Sequence, residues 1–145
     1  MPIDSVLDSV GDTPLVRLHH LFAETHLEVL VKLEGFNPGG SSKDRPAVAM
    51  LRRALSEGRL ERDQLVIEAS SGNTGVALAQ ACALLGLRFR CLIDPGTTPT
   101  NVAILHAYGA EVEMVDRPDT EGEYLPPKLA RIREVVARDP SCFWP

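Results

Sequence analysis

The stretch QLVIEASSGNTGVALAQACALLGLRFRCLI, Gln64 to Ile93, decides the fold. QLVIEA (Gln64–Ala69) is a short β-branched run bounded by polar turns, the pattern of a buried strand. GNTGVALAQACALL (Gly72–Leu85) is rich in small residues and reads as a helix, which Gly86 closes. LRFRCLI (Leu87–Ile93) is strand again. Strand, helix and strand joined by short turns make a βαβ unit, whose two strands run parallel.

Reading outward repeats the alternation. Upstream, LEVLVKLE (Leu27–Glu34) reads as a strand and RPAVAMLRRALSE (Arg45–Glu57) as an amphipathic helix. Pro46 suits that helix's first turn, where a missing N–H is no loss, and Gly58 ends it. Downstream come a helix at NVAILHAY (Asn101–Tyr108) stopped by Gly109, a strand at AEVEMV (Ala110–Val115), and a helix at PKLARIREVVAR (Pro127–Arg138). The implied class is α/β: alternating strands and helices around a mostly parallel sheet in three layers, with residues 1–145 in one domain. In such sheets ligands bind outside the carboxyl ends of the strands, where the strand-to-helix loops gather.

Composition narrows the function classes. A hydrophobic fraction of 44% and a charged fraction of 24% are those of a soluble globular protein. A net charge of -5, without a basic run, offers no general attraction for nucleic acid or an anionic membrane. No apolar run approaches the roughly 20 residues of a membrane span, and the start, MPIDSVLDSVGDTPLV, is acidic where a secretory signal is basic. Cys82, Cys91 and Cys142 are scattered, odd in number and outside any CxxC pattern, so reduced thiols and a cytoplasmic setting are expected. Cys82 and Cys91 sit in apolar runs and read as core. His19, His20, His26 and His106 lack metal-ligand spacing, so no metal is expected. There is no GxGxxG after a strand and no GxxxxGK[ST], which leaves a nucleotide-binding reading unsupported. The chain stops at SCFWP; Phe143 and Trp144 are the kind of residues that a following segment buries, and a truncation is expected.

Two loops fall where an α/β sheet binds ligands. SSGNTG (Ser70–Gly75) joins a strand to a helix, so its N–H groups open onto the positive end of the helix dipole. Its polar side chains add donors, and its glycines allow close approach of a ligand or of neighbouring backbone. One Ser or Asn would suffice as an ordinary N-cap. NPGGSSKDRPA (Asn37–Ala47) places Lys43 at a helix start, where a cation is disfavoured and an amine is pushed towards its neutral, nucleophilic form. A solvated lysine beside an ordinary cap is the plain alternative. Together, an amine and an anion nest at one sheet edge form the arrangement needed to make an imine on an amino acid.

At these motifs the sequence resembles the cysteine synthase family of pyridoxal-phosphate enzymes (fold type II, β-replacing). KLEGFNPGGSSKDRPA resembles the family's Schiff-base segment and SSGNTGVALA its substrate-carboxylate loop; GDTPLVRL and YGAEVEMV match its opening strand and a later helix-to-strand junction. The resemblance runs along almost the whole chain, as the N-terminal half of such an enzyme. It implies pyridoxal 5'-phosphate as cofactor, with Lys43 as Schiff-base lysine and base for the Cα proton. It further implies Asn73 on the cofactor's ring hydroxyl oxygen, and Ser70, Ser71, Gly72 and Thr74 on the substrate carboxylate. A homodimer is implied for the full-length protein. The family's glycine- and threonine-rich phosphate loop and its pyridine-nitrogen partner, both from its second half, do not appear.

DPGTTPTNVA (Asp94–Ala103) and VDRPDTEGEYLPPKLARIRE resemble the branch that joins glutamate to O-phosphoserine on the way to 2,3-diaminopropionate for siderophores and peptide antibiotics. Thr97, Thr98, Thr100 and Asn101 are candidates for admitting that larger nucleophile, with capping of the next helix as their alternative role. Sulfide, as in a cysteine synthase, is the competing nucleophile. A non-catalytic half-domain that binds a partner chain through its Phe143–Trp144 end is the reading from another class.

Overall fold

The computed structural model describes residues 2–21 and 23–145. Strands β3 (Leu65–Ala69), β4 (Arg88–Ile93) and β5 (Glu111–Met114) form a parallel sheet in the order β3-β4-β5. Ahead of them, β1 (Leu15–Arg17) and β2 (Leu30–Lys32) pair antiparallel as a separate two-stranded sheet, with Val16 opposite Val31. Helices α1 (Asp44–Ser56), α2 (Asn73–Leu85), α3 (Pro99–Ala107) and α4 (Leu125–Arg138) supply the outer layers.

Side-chain alternation along the sheet builds two cores. Val66, Phe89, Cys91 and Ile93 face α2 and α3, with α1 packed on α2; Leu65, Ile67 and Leu92 face Ile132 of α4. α2 is small-residue-rich because it is covered on both sides: Val76, Ala77, Leu78, Ala79, Ala81 and Cys82 are all buried. The three layers and the parallel sheet agree with the reading of the sequence.

The differences have local causes. The strand expected at Leu27–Glu34 is only Leu30–Lys32, because the chain coils into a 3-10 turn at Glu34–Phe36 and cannot extend further. It also lies outside the parallel sheet. Helix α3 begins at Pro99 rather than Asn101, with the Thr98 hydroxyl accepting from Asn101 N at 3.3 Å. Helix α4 begins at Leu125, its first turn absorbing Pro126 and Pro127. Phe143 adds a parallel bridge beside Val66: its N donates to Leu65 O (2.8 Å), and its carbonyl accepts from Ile67 N (2.9 Å). Trp144 is 36% exposed.

Candidate functional site

The loop before Lys43 is built by side chains that recur in the motifs. Buried Asn37 accepts from Gly11 N (2.9 Å), and its amide donates to Glu34 O, Glu34 Oε2 and Ser41 O, each at 2.9 Å. Glu34 takes two hydrogen bonds from Arg45, to Oε1 and Oε2 at 2.9 Å, and one from Thr13 at 2.8 Å. The Arg45 bonds first, then Thr13 and Asn37, hold the Glu34 carboxyl down at about 2 despite some desolvation. Thus GDTP, LEGFN and KDR are tied into one brace around the loop.

Within the loop, Asp44 is 1% exposed and its Oδ2 accepts from Gly39 N at 2.5 Å. Its other oxygen has no partner among the described residues. Burial pushes this carboxyl up, although the Gly39 N–H works the other way. Gly40 takes a positive φ of 80°, which favours glycine, and the Ser41 hydroxyl accepts from Lys43 N at 3.1 Å.

The sequence holds three lysines. Lys32 donates to the Thr13 carbonyl, and Lys128 is buried against Asp94. The exposed Lys43 amine has no hydrogen bond or ion pair among the described residues. The side chain singled out by the motif is therefore the uncommitted amine among the described residues, standing on a hydrogen-bonded support.

The Ser70–Gly75 loop leaves β3 and enters α2 through Gly72, its N-cap, which contributes no side-chain bond. The Ser70 hydroxyl turns inward, accepting from Gly75 N (2.9 Å) and Gly72 N (3.3 Å). The Ser71 hydroxyl is also engaged: it donates to Asp94 Oδ2 and accepts from Lys128 Nζ at 3.2 Å. Gly75 is needed for packing, since a Cβ there would stand 3.0 Å from Cys91 Sγ and 3.3 Å from Ser70. Around Gly72, by contrast, there is open space. The N–H groups of Ser71, Asn73 and Thr74 have no acceptor among the described residues, and the side chains of Asn73 and Thr74 make no hydrogen bond there either. The loop is thus left with uncommitted backbone donors and the free side chains of Asn73 and Thr74.

No hydrogen bond or ion pair joins Lys43 to this loop among the described residues; what relates them is that α1 and α2, which begin at the two segments, pack together. Of the candidates after β4, Thr97, Thr98 and Asn101 are occupied structurally, while the exposed Thr100 side chain makes no hydrogen bond among the described residues. Thr97 Oγ1 accepts from Asp94 N (3.3 Å), Thr98 caps α3, and Asn101 Nδ2 donates to Ser71 O (3.1 Å). The reading of the sequence passed over Lys128 and Asp94. Its available signal was a lysine four residues before Ile132, on the apolar side of α4.

The remaining titratable groups do not extend the site. Burial pushes the Cys82 and Cys91 thiols up to about 12, so both are inert core groups. No cluster of metal-ligating residues occurs among the described residues, and none of their helices is long and apolar enough to cross a membrane. A groove of about 380 Å³ lined by Leu7, Asp8, Val10, Arg45, Val48 and Arg52 includes neither Lys43 nor the Ser70–Gly75 loop.

A free primary amine and a helix start with unspent N–H donors fit a group that carries both a reactive carbonyl and anionic oxygens. Residues 6–145 match the family described as pyridoxal-phosphate dependent enzyme, and the chain belongs to that family. Among solved structures, it is similar to a cysteine synthase from Entamoeba histolytica (32% identity, TM-score 0.89, covering 99% of this chain and 43% of that one). It is similar also to a hydrogen sulfide-producing enzyme from Fusobacterium nucleatum (34%, TM-score 0.85, 99% and 46%). A third likeness is to an O-ureido-L-serine synthase (32%, TM-score 0.84, 99% and 44%). A lysine-to-alanine variant of an O-ureido-L-serine synthase, with O-ureido-L-serine bound, matches at 31% identity, covering 96% of this chain and 42% of that one. The chain spans less than half the length of these solved structures.

Proposed function

We propose that this chain is the N-terminal part, residues 1–145, of an enzyme that replaces the β-substituent of an activated serine, with pyridoxal 5'-phosphate as cofactor. The observation that carries the reading is Lys43: an exposed amine without a partner among the described residues, held at the head of α1 by the Asn37–Glu34–Arg45–Thr13 brace. Lys43 Nζ would hold the cofactor and, once released, take the Cα proton of the substrate. Asn73 would donate to the cofactor's ring hydroxyl oxygen. Ser70, Ser71, Gly72 and Thr74 would hold the substrate carboxylate, Ser71 and Thr74 through free N–H groups and Ser70 by shaping the turn. The cofactor, when bound, supplies the electron sink for the Cα carbanion. The phosphate grip and the partner of the pyridine nitrogen would come from outside these residues.

For the nucleophile we favour an amine such as glutamate adding to O-phosphoserine, towards 2,3-diaminopropionate and siderophore precursors, on the strength of DPGTTPTNVA and the sequence that follows. Sulfide with O-acetylserine is the second reading, favoured by the cysteine synthase and hydrogen sulfide-producing enzyme among the similar proteins. A cytoplasmic homodimer fits the free thiols and the resemblance. Measuring turnover of O-phosphoserine with glutamate against O-acetylserine with sulfide by the full-length protein tests the choice. Faster turnover of the second pair would overturn the amine reading, and absence of both would overturn β-replacement. Binding to a partner chain without any turnover would instead favour a non-catalytic half-domain.

A further inference from the structure

Behind the Ser70–Gly75 loop stands an ion pair that the reaction as proposed does not use. Lys128, in the first turn of α4, lies 2.5 Å from Asp94 Oδ2 after β4, and the two side chains are only 7% and 13% exposed. Burying both charges costs several kcal/mol on general grounds, and an apolar residue at 128 would simply extend the face that carries Ile132. The pair is therefore poorly explained as packing alone.

Asp94 Oδ1 accepts from Gly96 N (3.0 Å) in its own turn, and the contacts that the pair shares meet at Ser71. The Ser71 hydroxyl gives its proton to Asp94 and accepts from Lys128, while the Ser71 carbonyl accepts from Asn101 Nδ2. Burial opposes the Asp94 charge, yet the bonds from Lys128 and Ser71 outweigh it and hold the carboxyl below its ordinary value. Asp94 thus stays an anion able to accept both. From within, the turn is held by the Ser70 hydroxyl, which accepts from Gly72 N and Gly75 N; Gly72 adds no capping side chain of its own. With hydroxyl and carbonyl both held, the Ser71 backbone and the amides that follow are oriented from behind. The pair is neutral overall, so its contribution is orientation rather than attraction of an anion.

We propose that Lys128, paired with Asp94, is a positioning residue that sets the Ser71–Thr74 amides for the carboxylate of an amino-acid substrate. The inference rests on the carboxylate role given to this loop above.

The test uses the holoenzyme and its K128M, K128R and S71A variants. Two quantities are read: the calorimetric Kd for L-alanine, which has no leaving group, and hydrogen exchange at the amides of residues 71–74. K128M should weaken L-alanine about tenfold, a mid-range coupling for members of one hydrogen-bond network. Pyridoxal phosphate affinity should stay within about twofold, and the amides should exchange faster. K128R should recover most of the loss, and K128M should add little once Ser71 is alanine. A K128M protein with lower Tm but unchanged L-alanine affinity and loop exchange would overturn the proposal, as would an equal loss in the S71A background. Should K128M not fold, S71A decides, since it leaves the ion pair intact: wild-type exchange and affinity there would overturn it. A wild-type enzyme that binds no L-alanine would refute the carboxylate cradle instead, and the exchange data would still judge Lys128.

Discussion

Replacing Gly39 by alanine should damage the Lys43 support through one identifiable collision. A Cβ at Gly39 would fall inside contact distance of Asp44 Oδ1 and 2.9 Å from both Asp44 Cγ and Oδ2. Asp44 cannot swing out of the way, because it is buried and its Oδ2 is bonded to Gly39 N. Forcing a methyl into such a site costs about 1–3 kcal/mol. Losing the bond to a carboxylate that stays buried adds about 1–3 kcal/mol. G39A should therefore destabilise by about 2–6 kcal/mol in urea unfolding. D44A removes the obstacle, so G39A made in that background should cost less than about 1 kcal/mol, the level of an uncomplicated substitution. The non-additivity is the signature of direct contact. If G39A costs the same with and without Asp44, the collision is not the cause and the reasoning fails.

Other expectations follow from the same contacts. The Glu34 carboxyl is held at about 2 against an ordinary 4.5, chiefly by Arg45, so its stabilising contribution is fully present above about pH 4.5 and is lost as pH falls towards 2. E34Q should flatten the acid limb of stability in that window, and an unchanged limb would count against the brace. Cys82 and Cys91, with thiols near 12 and buried, should react with a thiol reagent at pH 8 only as fast as the chain unfolds; rapid labelling in native buffer would contradict the packing around α2. K43A should change stability by no more than about 0.5 kcal/mol, as expected for an exposed side chain without partners among the described residues.

The fold was legible where periodicity was strong. Gln64–Ile93 carries a switch from strand to helix and back that admits little else, and β3, α2 and β4 form there. The β1–β2 pair was less legible, because Leu15, Val16 and Leu30 are exposed and no inside-outside alternation marks strands so short. At the site, Lys43 and the Ser70–Gly75 loop stood out by unusual residue choice. The inward turn of the Ser70 and Ser71 hydroxyls did not, because it depends on Gly75, Asp94 and Lys128 arriving from elsewhere. Lys128 was hidden for a related reason: a lysine in an amphipathic helix reads as solvated until the fold shows which way it faces. The threonines after β4 looked available for a ligand, and the structure uses Thr97 to hold the turn at Asp94 and Thr98 to cap α3.

The central claim is that Lys43 is the amine that meets the cofactor. Borohydride reduction of the protein with pyridoxal phosphate, followed by peptide mass mapping, tests it against the two other lysines. The account predicts one phosphopyridoxyl adduct, on Lys43, with Lys32 and Lys128 unmodified because both amines are engaged. An adduct confined to Lys32 or Lys128, or no preference among the three, would contradict it.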